Sequence, residues 1–178
     1  MANDCYLSRI TLRPFKLNDV DDFMLMASDD MVTYYTRWNT FTSIEQALTF
    51  IRDVCIPHPW CRCVCFNDRC IGFISFTLGS GDERCKAEIG YAIAARYRGQ
   101  GICTKVVKIA VSQVFKDFPC LLRIQALVDV ENKASQRVLE KVGFLEEGVL
   151  RKYAFVKGKA RDIAISSLLS IDNTHHPE

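Results

Sequence analysis

A strand pattern passes into a helix pattern within Glu88-Ile-Gly-Tyr-Ala-Ile-Ala-Ala-Arg-Tyr-Arg-Gly-Gln-Gly-Ile-Cys-Thr104. The apolar run over 87–94 predicts a strand. Apolar side chains then recur at helical spacing from Gly101 to Phe115, which predicts an amphipathic helix. A basic, glycine-containing loop joins the two elements, so this stretch predicts a strand, a loop and a helix in that order.

The loop has the composition of an anion-binding site. Backbone N–H groups at a helix N-terminus point outward, and the helix dipole favours negative charge there. Gly99 and Gly101 let a phosphate approach the backbone without a Cβ in the way. Arg96 and Arg98 add positive charge. A ligand that carries phosphate is therefore predicted.

Two common phosphate motifs do not fit this loop. A dinucleotide fingerprint needs a third glycine three residues after Gly101, where Thr104 stands, and an acidic residue about twenty residues further on, which is absent. A P-loop needs Lys and then Ser or Thr after its last glycine, but Gly101 is followed by Ile102. A nucleotide-binding oxidoreductase and a P-loop enzyme are thereby disfavoured.

Outward from this stretch, the chain reads as alternating strands and helices, in the order β α α β β β α β α β β. Asn18 or Asp19 is expected to cap the first helix, and Ser43 the second, with Gln46 completing a capping box. Gly143 is expected to close the last helix in a left-handed conformation. The other predicted elements are a hairpin of Trp60–Phe66 and Cys70–Leu78, a strand at Leu121–Val130 buried on both faces, a helix at Lys133–Val142, and strands near Leu150–Val156 and Asp162–Leu169.

Two motifs together resemble one known superfamily. Arg96-x-x-Gly-x-Gly101 is similar to the acyl-CoA signature of the GNAT superfamily. Asn132-Lys-Ala-Ser-Gln-Arg-Val-Leu-Glu-Lys-Val-Gly-Phe144 resembles its second motif, in which Asn begins a short helix that ends in Gly-Phe. The resemblance covers about residues 9–170. It implies a single N-acetyltransferase domain over 1–178, with a core at about 9–170 and a polar tail at 171–178.

The resemblance implies a mixed α/β class, the GNAT acyl-CoA N-acyltransferase fold. Its central sheet is mixed and mostly antiparallel, with a splayed strand pair and helices on both faces. Acetyl-CoA is then a co-substrate that lies in the gap of the splayed pair, its pantetheine pairing like an extra strand. The implied cofactor-binding residues are Ile89, Tyr91, Ile93, Arg96, Arg98, Gly99, Gln100, Gly101, Ile102, Cys103, Thr104, Asn132 and Ser135.

The second motif also points to one branch of the superfamily. Many members carry Ala at the position of Ser135 and Tyr at that of Leu139, where the Tyr is assigned as the acid that protonates the CoA thiolate. Leu139 cannot take that role. Ser135 and the following residues are instead similar to the RimJ/RimL branch, which acetylates ribosomal-protein N-termini, and which also holds enzymes for antibiotics and other small amines.

The candidate catalytic residues are Glu88, Ser135 and Tyr153. Glu88 is the candidate base, with a surface carboxylate paired to Lys86 or Arg84 as the alternative interpretation. Ser135 could donate to the sulfur or hold a water, and Tyr153 is an alternative acid, although a strand aromatic is more often a packing residue. Asn132 could bond the pantetheine, but Asn also suits a helix cap. A backbone N–H near 89–91 is the expected donor to the thioester oxygen.

The acceptor is expected to contact Arg37, Trp38 and Phe41, in an irregular region that forms one wall of the acceptor pocket in the superfamily. A hydrophobic lid over the core is the alternative interpretation of these side chains. The predicted function is transfer of the acetyl group of acetyl-CoA to a primary amine, a peptide N-terminus or a small molecule, by direct transfer in a ternary complex. A non-catalytic acyl-CoA-binding sensor or scaffold module is the alternative.

Composition bounds the partners and the compartment. The net charge is only +2 and no basic stripe is present, so neither nucleic acid nor a membrane is expected as a partner, while an oligomer is possible. No signal peptide or run of about 20 apolar residues is evident. The nine cysteines are then read as free thiols in a reducing, cytoplasmic or possibly nuclear, compartment. 

Three of these cysteines alternate in the run Cys61-Arg-Cys-Val-Cys65, which could suggest a metal site. Residues two apart on a strand lie about 6.6 Å apart along the chain, too far for thiolates that share one zinc. We therefore expect three small apolar side chains on one strand face, and no metal. Cys103 is the cysteine to test for reactivity, because a thiol at a helix start can have a lowered pKa.

Overall fold

The computed structural model describes residues 6–172. Its strands are β1 (Ile10–Arg13), β2 (Cys61–Phe66), β3 (Arg69–Leu78), β4 (Lys86–Ile93), β5 (Arg123–Asp129), β6 (Leu145–Val156) and β7 (Lys159–Leu169). Its helices are α1 (Val20–Ala27), α2 (Asp30–Thr33), α3 (Ile44–Phe50), α4 (Ile102–Asp117) and α5 (Lys133–Val142). The end of the tail, 173–178, lies outside the described residues.

The strands form one sheet in the order β1-β2-β3-β4-β5-β7-β6. Neighbouring strands pair antiparallel where their register is known, except that β4 and β5 run parallel. The parallel ladder contains the pairs from Lys86–Arg123 to Glu88–Gln125 and ends there. The mixed α/β class and the mostly antiparallel sheet are thus confirmed, and the short parallel ladder is what diverging strands produce.

The chain divides into two compact units, which we describe separately. The first comprises Met1–Ser75 and Tyr91–Val106. The second comprises Phe76–Gly90 and Val107–Glu178. The candidate site residues are therefore also divided, since the glycine loop falls in the first unit while Glu88 and the second motif fall in the second.

An aromatic cluster fills the core of the first unit. Phe23 is fully buried and its ring lies 5.8 Å from those of Phe15 and Phe50 and 6.3 Å from that of Phe73. Burial of side chains this large supplies most of the stabilisation of such a core. The β2–β3 hairpin beside it turns at Asn67 and Asp68, whose φ values of 49° and 61° suit a tight hairpin turn. The predicted hairpin is confirmed.

The predicted strand of cysteines is also in this core. Cys61, Cys63 and Cys65 are buried, as expected. The distance argument against a shared metal was wrong for one pair, because side-chain orientation brings the Sγ atoms of Cys63 and Cys65 to 3.6 Å. Val64 between them is buried as well, and the β2–β3 register shifts between Val64 and Cys65. Across 6–172 the cysteines are free thiols, and no group of three or more His, Cys, Asp or Glu is arranged to hold a metal.

The predicted cap of the first helix needs correction. Asp19 precedes α1, but its carboxylate accepts no bond from that helix. It accepts instead from the Arg13 guanidinium at 2.8 and 2.6 Å and from the Lys16 amide at 2.8 Å. Burial pushes the pKa of Asp19 up, but the bonds from Arg13 and Lys16 outweigh it and hold the pKa below its ordinary value. A buried ion pair thus takes the place of the predicted cap.

The second helix begins as predicted at Ser43, whose Oγ accepts from the Gln46 amide at 3.4 Å. The reciprocal half of the capping box is displaced by one residue, because Gln46 Oε1 accepts from the Thr42 amide at 2.7 Å. α3 then continues through a π-helical turn, Ile51–Cys55. No helix within 6–172 has the length and apolarity required to cross a membrane.

In the second unit, β5 departs from its predicted burial. It begins at Arg123 rather than at Leu121, and Ile124 and Ala126 are buried while their neighbours are half-buried. Only alternate side chains therefore reach the core, and burial on both faces was wrong. β6 and β7 begin earlier than predicted, at Leu145 and Lys159. The predicted left-handed helix end at Gly143 is confirmed, with φ 107°.

Candidate functional site

The start of α4 offers a row of open amide donors in the first unit. A 3-10 turn, Ala95–Tyr97, leads into the loop, where Gly99 and Gly101 have φ values of 75° and 76°. Within the described residues, the backbone N–H groups of 99–104 donate no hydrogen bond, and the first such bond of the helix runs from Lys105 to the Gly101 carbonyl at 3.1 Å. A row of outward amides at a helix N-terminus is suited to an anion.

The two glycines keep this row accessible. A Cβ placed on Gly99 or Gly101 would meet no atom within 4 Å, so the space above the backbone is empty. Their left-handed conformation is the one that glycine adopts without strain. Ile102 is fully buried, so it can offer the loop its amide but not its side chain. Thr104 is half-buried.

The Gln100 side chain makes two hydrogen bonds that stabilise the loop. Its Nε2 donates to the Arg96 carbonyl at 2.9 Å, and its Oε1 accepts from the Tyr6 hydroxyl. The amide of Tyr97 donates to the Ala94 carbonyl at 3.0 Å, which closes the turn. These bonds fix the loop and leave the backbone amides of 99–104 without acceptors.

The two arginines of the loop have different surroundings. The Arg96 guanidinium is exposed and lies 5.0 Å from the centre of the Tyr97 ring. Arg98 donates from Nη2 to the Met31 carbonyl at 2.7 Å. The sequence analysis predicted phosphate binding by both arginines. Of the two, Arg96 is the one whose guanidinium donates no hydrogen bond within 6–172.

Cys103 does not have the reactive character that its position predicted. Its thiol is shielded at the start of α4, and desolvation raises its pKa to about 12. Burial favours the uncharged thiol, and here it outweighs the opposite effect of a helix start. Cys103 is half-buried, and its raised pKa favours the uncharged thiol at neutral pH.

Glu88, the candidate base, lies on β4 in the second unit and is half-buried. The alternative surface pairs are not formed, because Lys86 binds Glu83 at 2.6 Å and Arg84 donates to the Gly81 carbonyl at 3.2 Å. Among the residues that the structure describes, the Glu88 carboxylate has no ion-pair or hydrogen-bond partner. The role of Glu88 as the base stays a prediction.

The rest of β4 contains the predicted pantetheine contacts. Ile89 is buried, while Tyr91 and Ile93 are half-buried. The buried positions change phase between Ile89 and Ala92, so the regular alternation of the strand is interrupted at this point. The expected amide donor to the thioester oxygen lies in this interrupted stretch, and its role stays a prediction.

Asn132 caps α5, as its alternative interpretation required. Its Oδ1 accepts from the Ser135 amide at 3.2 Å. Its Nδ2 donates to no atom of the described chain, so the cap leaves two donors for a ligand. Ser135 is half-buried one turn into the helix. Capping and ligand binding by Asn132 are thus compatible.

Gln136 is a residue that the motif comparison missed. Its Nε2 donates to the Asp129 and Val130 carbonyls, each at 3.0 Å, which ties α5 to the end of β5. The turn that presents Asn132 is fixed in this way. The available signal was the polar side chain four residues after Asn132, which places both on one face of the helix.

Tyr153 lies on β6 and is 51% exposed, so it is not the packed strand aromatic of the alternative interpretation. Its hydroxyl has no hydrogen-bond partner within 6–172. Whether it acts as the acid stays a prediction.

The predicted acceptor residues belong to the first unit. Trp38 and Phe41 are half-buried, with ring centres 5.3 Å apart, and both pack against Phe50. Arg37 is exposed. The lid over the core is therefore formed, and its outer surface remains available as a wall for an acceptor.

Among the described residues, each unit has an open cleft. The larger, about 800 Å³, is lined by Phe41, Phe50 and polar residues of α3. The smaller, about 510 Å³, lies beside α5 and is lined by Lys133 and Arg137 with Glu140 and Glu146. Neither is lined by the open amides of 99–104 or by Glu88, so neither is assigned to the transfer chemistry.

Comparison with known proteins agrees with the two motifs. The Acetyltransferase (GNAT) domain model matches residues 9–145. The chain is 33% identical over 170 residues to the uncharacterized N-acetyltransferase p20 of Bacillus licheniformis, covering 92% of this chain and 94% of that protein. It is 32% identical over 167 residues to the uncharacterized N-acetyltransferase YoaA of Bacillus subtilis (strain 168), covering 90% and 93%.

Solved structures show the same fold. A GNAT-family acetyltransferase from Bacillus anthracis superposes with a TM-score of 0.82 at 25% identity, covering 90% of this chain and 95% of that one. The glycine loop and the second motif thus occur within a chain that resembles these proteins over about nine-tenths of its length. The chain belongs to the GNAT acetyltransferase family.

Proposed function

We propose that this protein transfers the acetyl group of acetyl-CoA to a primary amine by direct transfer in a ternary complex. The observation that carries the proposal is the row of open amides over 99–104, which offers the phosphates of CoA a ready set of donors beside Arg96. Family membership supplies the reaction class. Acetyl-CoA enters as a substrate, and no metal is invoked.

The chemistry requires a neutral amine. Alkyl amines have pKa values of about 10.4 and α-amines of about 8, so a proton must leave before attack at neutral pH. The amine nitrogen forms a bond to the thioester carbon, the C–S bond breaks, and the thiolate leaves as CoA. Glu88 is proposed to accept the amine proton, directly or through water, and a base of this kind contributes about 10²–10⁴-fold.

The departing sulfur needs a proton or a hydrogen bond. Leu139, at the position where many family members have Tyr, is buried in the core and cannot supply it. Ser135 and Tyr153 are the candidates on this chain, the first half-buried at the start of α5 and the second exposed on β6. The thioester oxygen would accept from an amide near 89–91.

The acceptor is proposed to be a peptide N-terminus or a small-molecule amine, as in the RimJ/RimL-like branch. RimJ of Mycobacterium smegmatis superposes with a TM-score of 0.75 at 26% identity, covering 92% of this chain and 83% of that one. The spermidine N(1)-acetyltransferase of Escherichia coli (strain K12) is 31% identical over 77 residues, 43% of this chain and 41% of that protein. Both acceptor classes therefore belong in the test.

The test is release of free thiol from acetyl-CoA across peptide N-termini, polyamines and aromatic amines, with calorimetric CoA binding on the same samples. Glu88→Gln should lower kcat about 10²–10⁴-fold and leave CoA affinity unchanged. Glu83→Gln is the matched control, because Glu83 is an exposed carboxylate paired with Lys86. Tight CoA binding without turnover on any amine would favour the non-catalytic sensor. Absence of CoA binding would contradict the proposal.

A further inference from the structure

Arg98 bridges two distant segments of the first unit. It belongs to the loop before α4, and its Nη2 donates to the carbonyl of Met31 at 2.7 Å. Met31 lies in α2, 67 residues earlier in the chain. This is the hydrogen bond that the Arg98 side chain makes within 6–172, so the arginine predicted to face a phosphate holds a main-chain oxygen instead.

The segment held by Arg98 anchors the loop that follows it. Thr40 Oγ1 donates to the Asp30 carboxylate at 2.5 Å and lies 2.6 Å from Thr33 Oγ1. The Thr36 amide donates to the Thr33 carbonyl at 2.9 Å. α2 is only one turn long, so these bonds fix 34–42 to a short element that needs external support.

The same loop carries the side chains proposed to line the acceptor site. Trp38 and Phe41 pack on the aromatic core, and the Phe41 amide donates to the Ala27 carbonyl at 3.0 Å. Arg37 is exposed between these contacts and α2. The hydrogen bond from Arg98 to α2 therefore also helps to position Arg37, Trp38 and Phe41.

Arg96 provides the internal comparison. It stands two residues before Arg98 in the same loop and is equally basic and exposed, but its guanidinium lies over the Tyr97 ring and donates no hydrogen bond within the described chain. Arg96 is available to an incoming phosphate, whereas Arg98 has its planar donor group aligned on a carbonyl.

We infer that Arg98 is a positioning residue that fastens the acceptor-lining segment 31–42 to the CoA-binding loop, and is not a phosphate ligand. The inference rests on the proposed function for the roles of these two segments. Its consequence is that the amine site depends on Arg98 while CoA affinity depends on Arg96. Arg98→Lys keeps the positive charge, but we expect it to restore only part of the support of 31–42. A single ammonium group does not reproduce the guanidinium geometry.

The experiment compares Arg98→Ala, Arg98→Lys and Arg96→Ala by calorimetric CoA binding, hydrogen exchange of 31–42 and the KM for the best amine. Arg98→Ala should leave the Kd for CoA within about threefold, speed exchange at the Thr36 and Phe41 amides about tenfold, and raise the amine KM about tenfold with a smaller change in kcat. Arg98→Lys should fall between it and the parent. Arg96→Ala should weaken CoA about tenfold and leave exchange in 31–42 unchanged.

The opposite pattern would overturn the inference: loss of CoA affinity in Arg98→Ala comparable to that in Arg96→Ala, with unchanged exchange in 31–42. Hydrogen exchange and CoA binding do not depend on turnover. If the parent protein turned over no amine, they would still test Arg98, and the failure of the proposed function would be seen separately. A melting temperature for each variant identifies any that fails to fold.

Discussion

The N-termini of α4 and α5 differ in how they satisfy the backbone N–H groups that have no acceptor inside the helix. At α5, Asn132 accepts from the Ser135 amide and Gln136 fastens the preceding turn, so the chain satisfies its own groups. At α4, the amides of 99–104 find no acceptor within the described residues. An uncapped helix start costs stability of about 1 kcal/mol. The comparison shows that the α4 start leaves its amides without acceptors, whereas the α5 start satisfies an amide with the Asn132 side chain. We propose that the open α4 amides serve an external anion.

The thiol at the α4 start gives the largest expected effect. With a pKa of about 12 against an ordinary 9.0, Cys103 holds about a thousandfold less thiolate at pH 8 than an ordinary cysteine. Its alkylation should rise with pH well beyond 9, and at pH 8 it should be much slower than that of Cys85 and Cys120, whose side chains are exposed to the reagent. Peptide mass mapping after timed alkylation measures this. Rapid labelling of Cys103 at pH 8 in the folded protein would mean that the helix start dominates burial.

A fixed negative charge at the α4 start should act almost as strongly. Gly101→Asp places a carboxylate where a phosphate would bind, and its oxygens can also accept from the open amides. We expect CoA affinity to fall about a hundredfold. Gly101→Asn is the matched control, because Asn tolerates the same left-handed backbone without the charge. Equal affinities of the two variants would show that this position does not face a phosphate.

Backbone strain can be separated from loss of the site with two glycines that share the same φ. Gly101 and Gly158 both have φ 76°, and an added Cβ would meet no atom within 4 Å at either. Alanine should therefore cost each about 1 kcal/mol of stability. Gly101→Ala should also weaken CoA about tenfold, and Gly158→Ala should not. Thermal unfolding and calorimetry together make the comparison, and similar CoA affinities would contradict it.

The smallest expected effect is at the α5 start. Asn132→Ala removes the cap and should lower the free energy of unfolding by about 1 kcal/mol. Asn132→Ser keeps a capping oxygen and should restore most of that stability. It lacks the carboxamide N–H donors, so any ligand bond from Nδ2 is lost in both variants. Denaturant unfolding with and without CoA separates the two roles, and a neutral Asn132→Ala would show that the cap is not needed.

Much of this architecture could be read from the sequence because it rests on local rules. The glycine loop, the Gly143 helix end and the Asn67–Asp68 turn each require a particular residue for a particular backbone conformation. These signals are short-range, so they survive without any knowledge of the tertiary fold.

Features that depend on distant partners could not be read in the same way. Asp19 was expected to cap a helix, but Arg13 competes for its carboxylate, and nothing in the spacing reveals which partner wins. The position of Cys103 at a helix start predicts a lowered thiol pKa, but burial raises that pKa instead. The bond between Arg98 and Met31 joins segments far apart in sequence, and only the fold brings them together.

The most direct measurement is the ¹⁵N–¹H spectrum of the protein during titration with CoA. We predict that the amides of 99–104 show the largest downfield shifts, because they gain acceptors that they lack in the protein without CoA. The α5 amide of Ser135, already bonded to Asn132, should move little. Saturable binding with the largest shifts at α5 and none over 99–104 would contradict the proposal that the amides of 99–104 bind the phosphates of CoA. A spectrum that CoA leaves unchanged would contradict it as well.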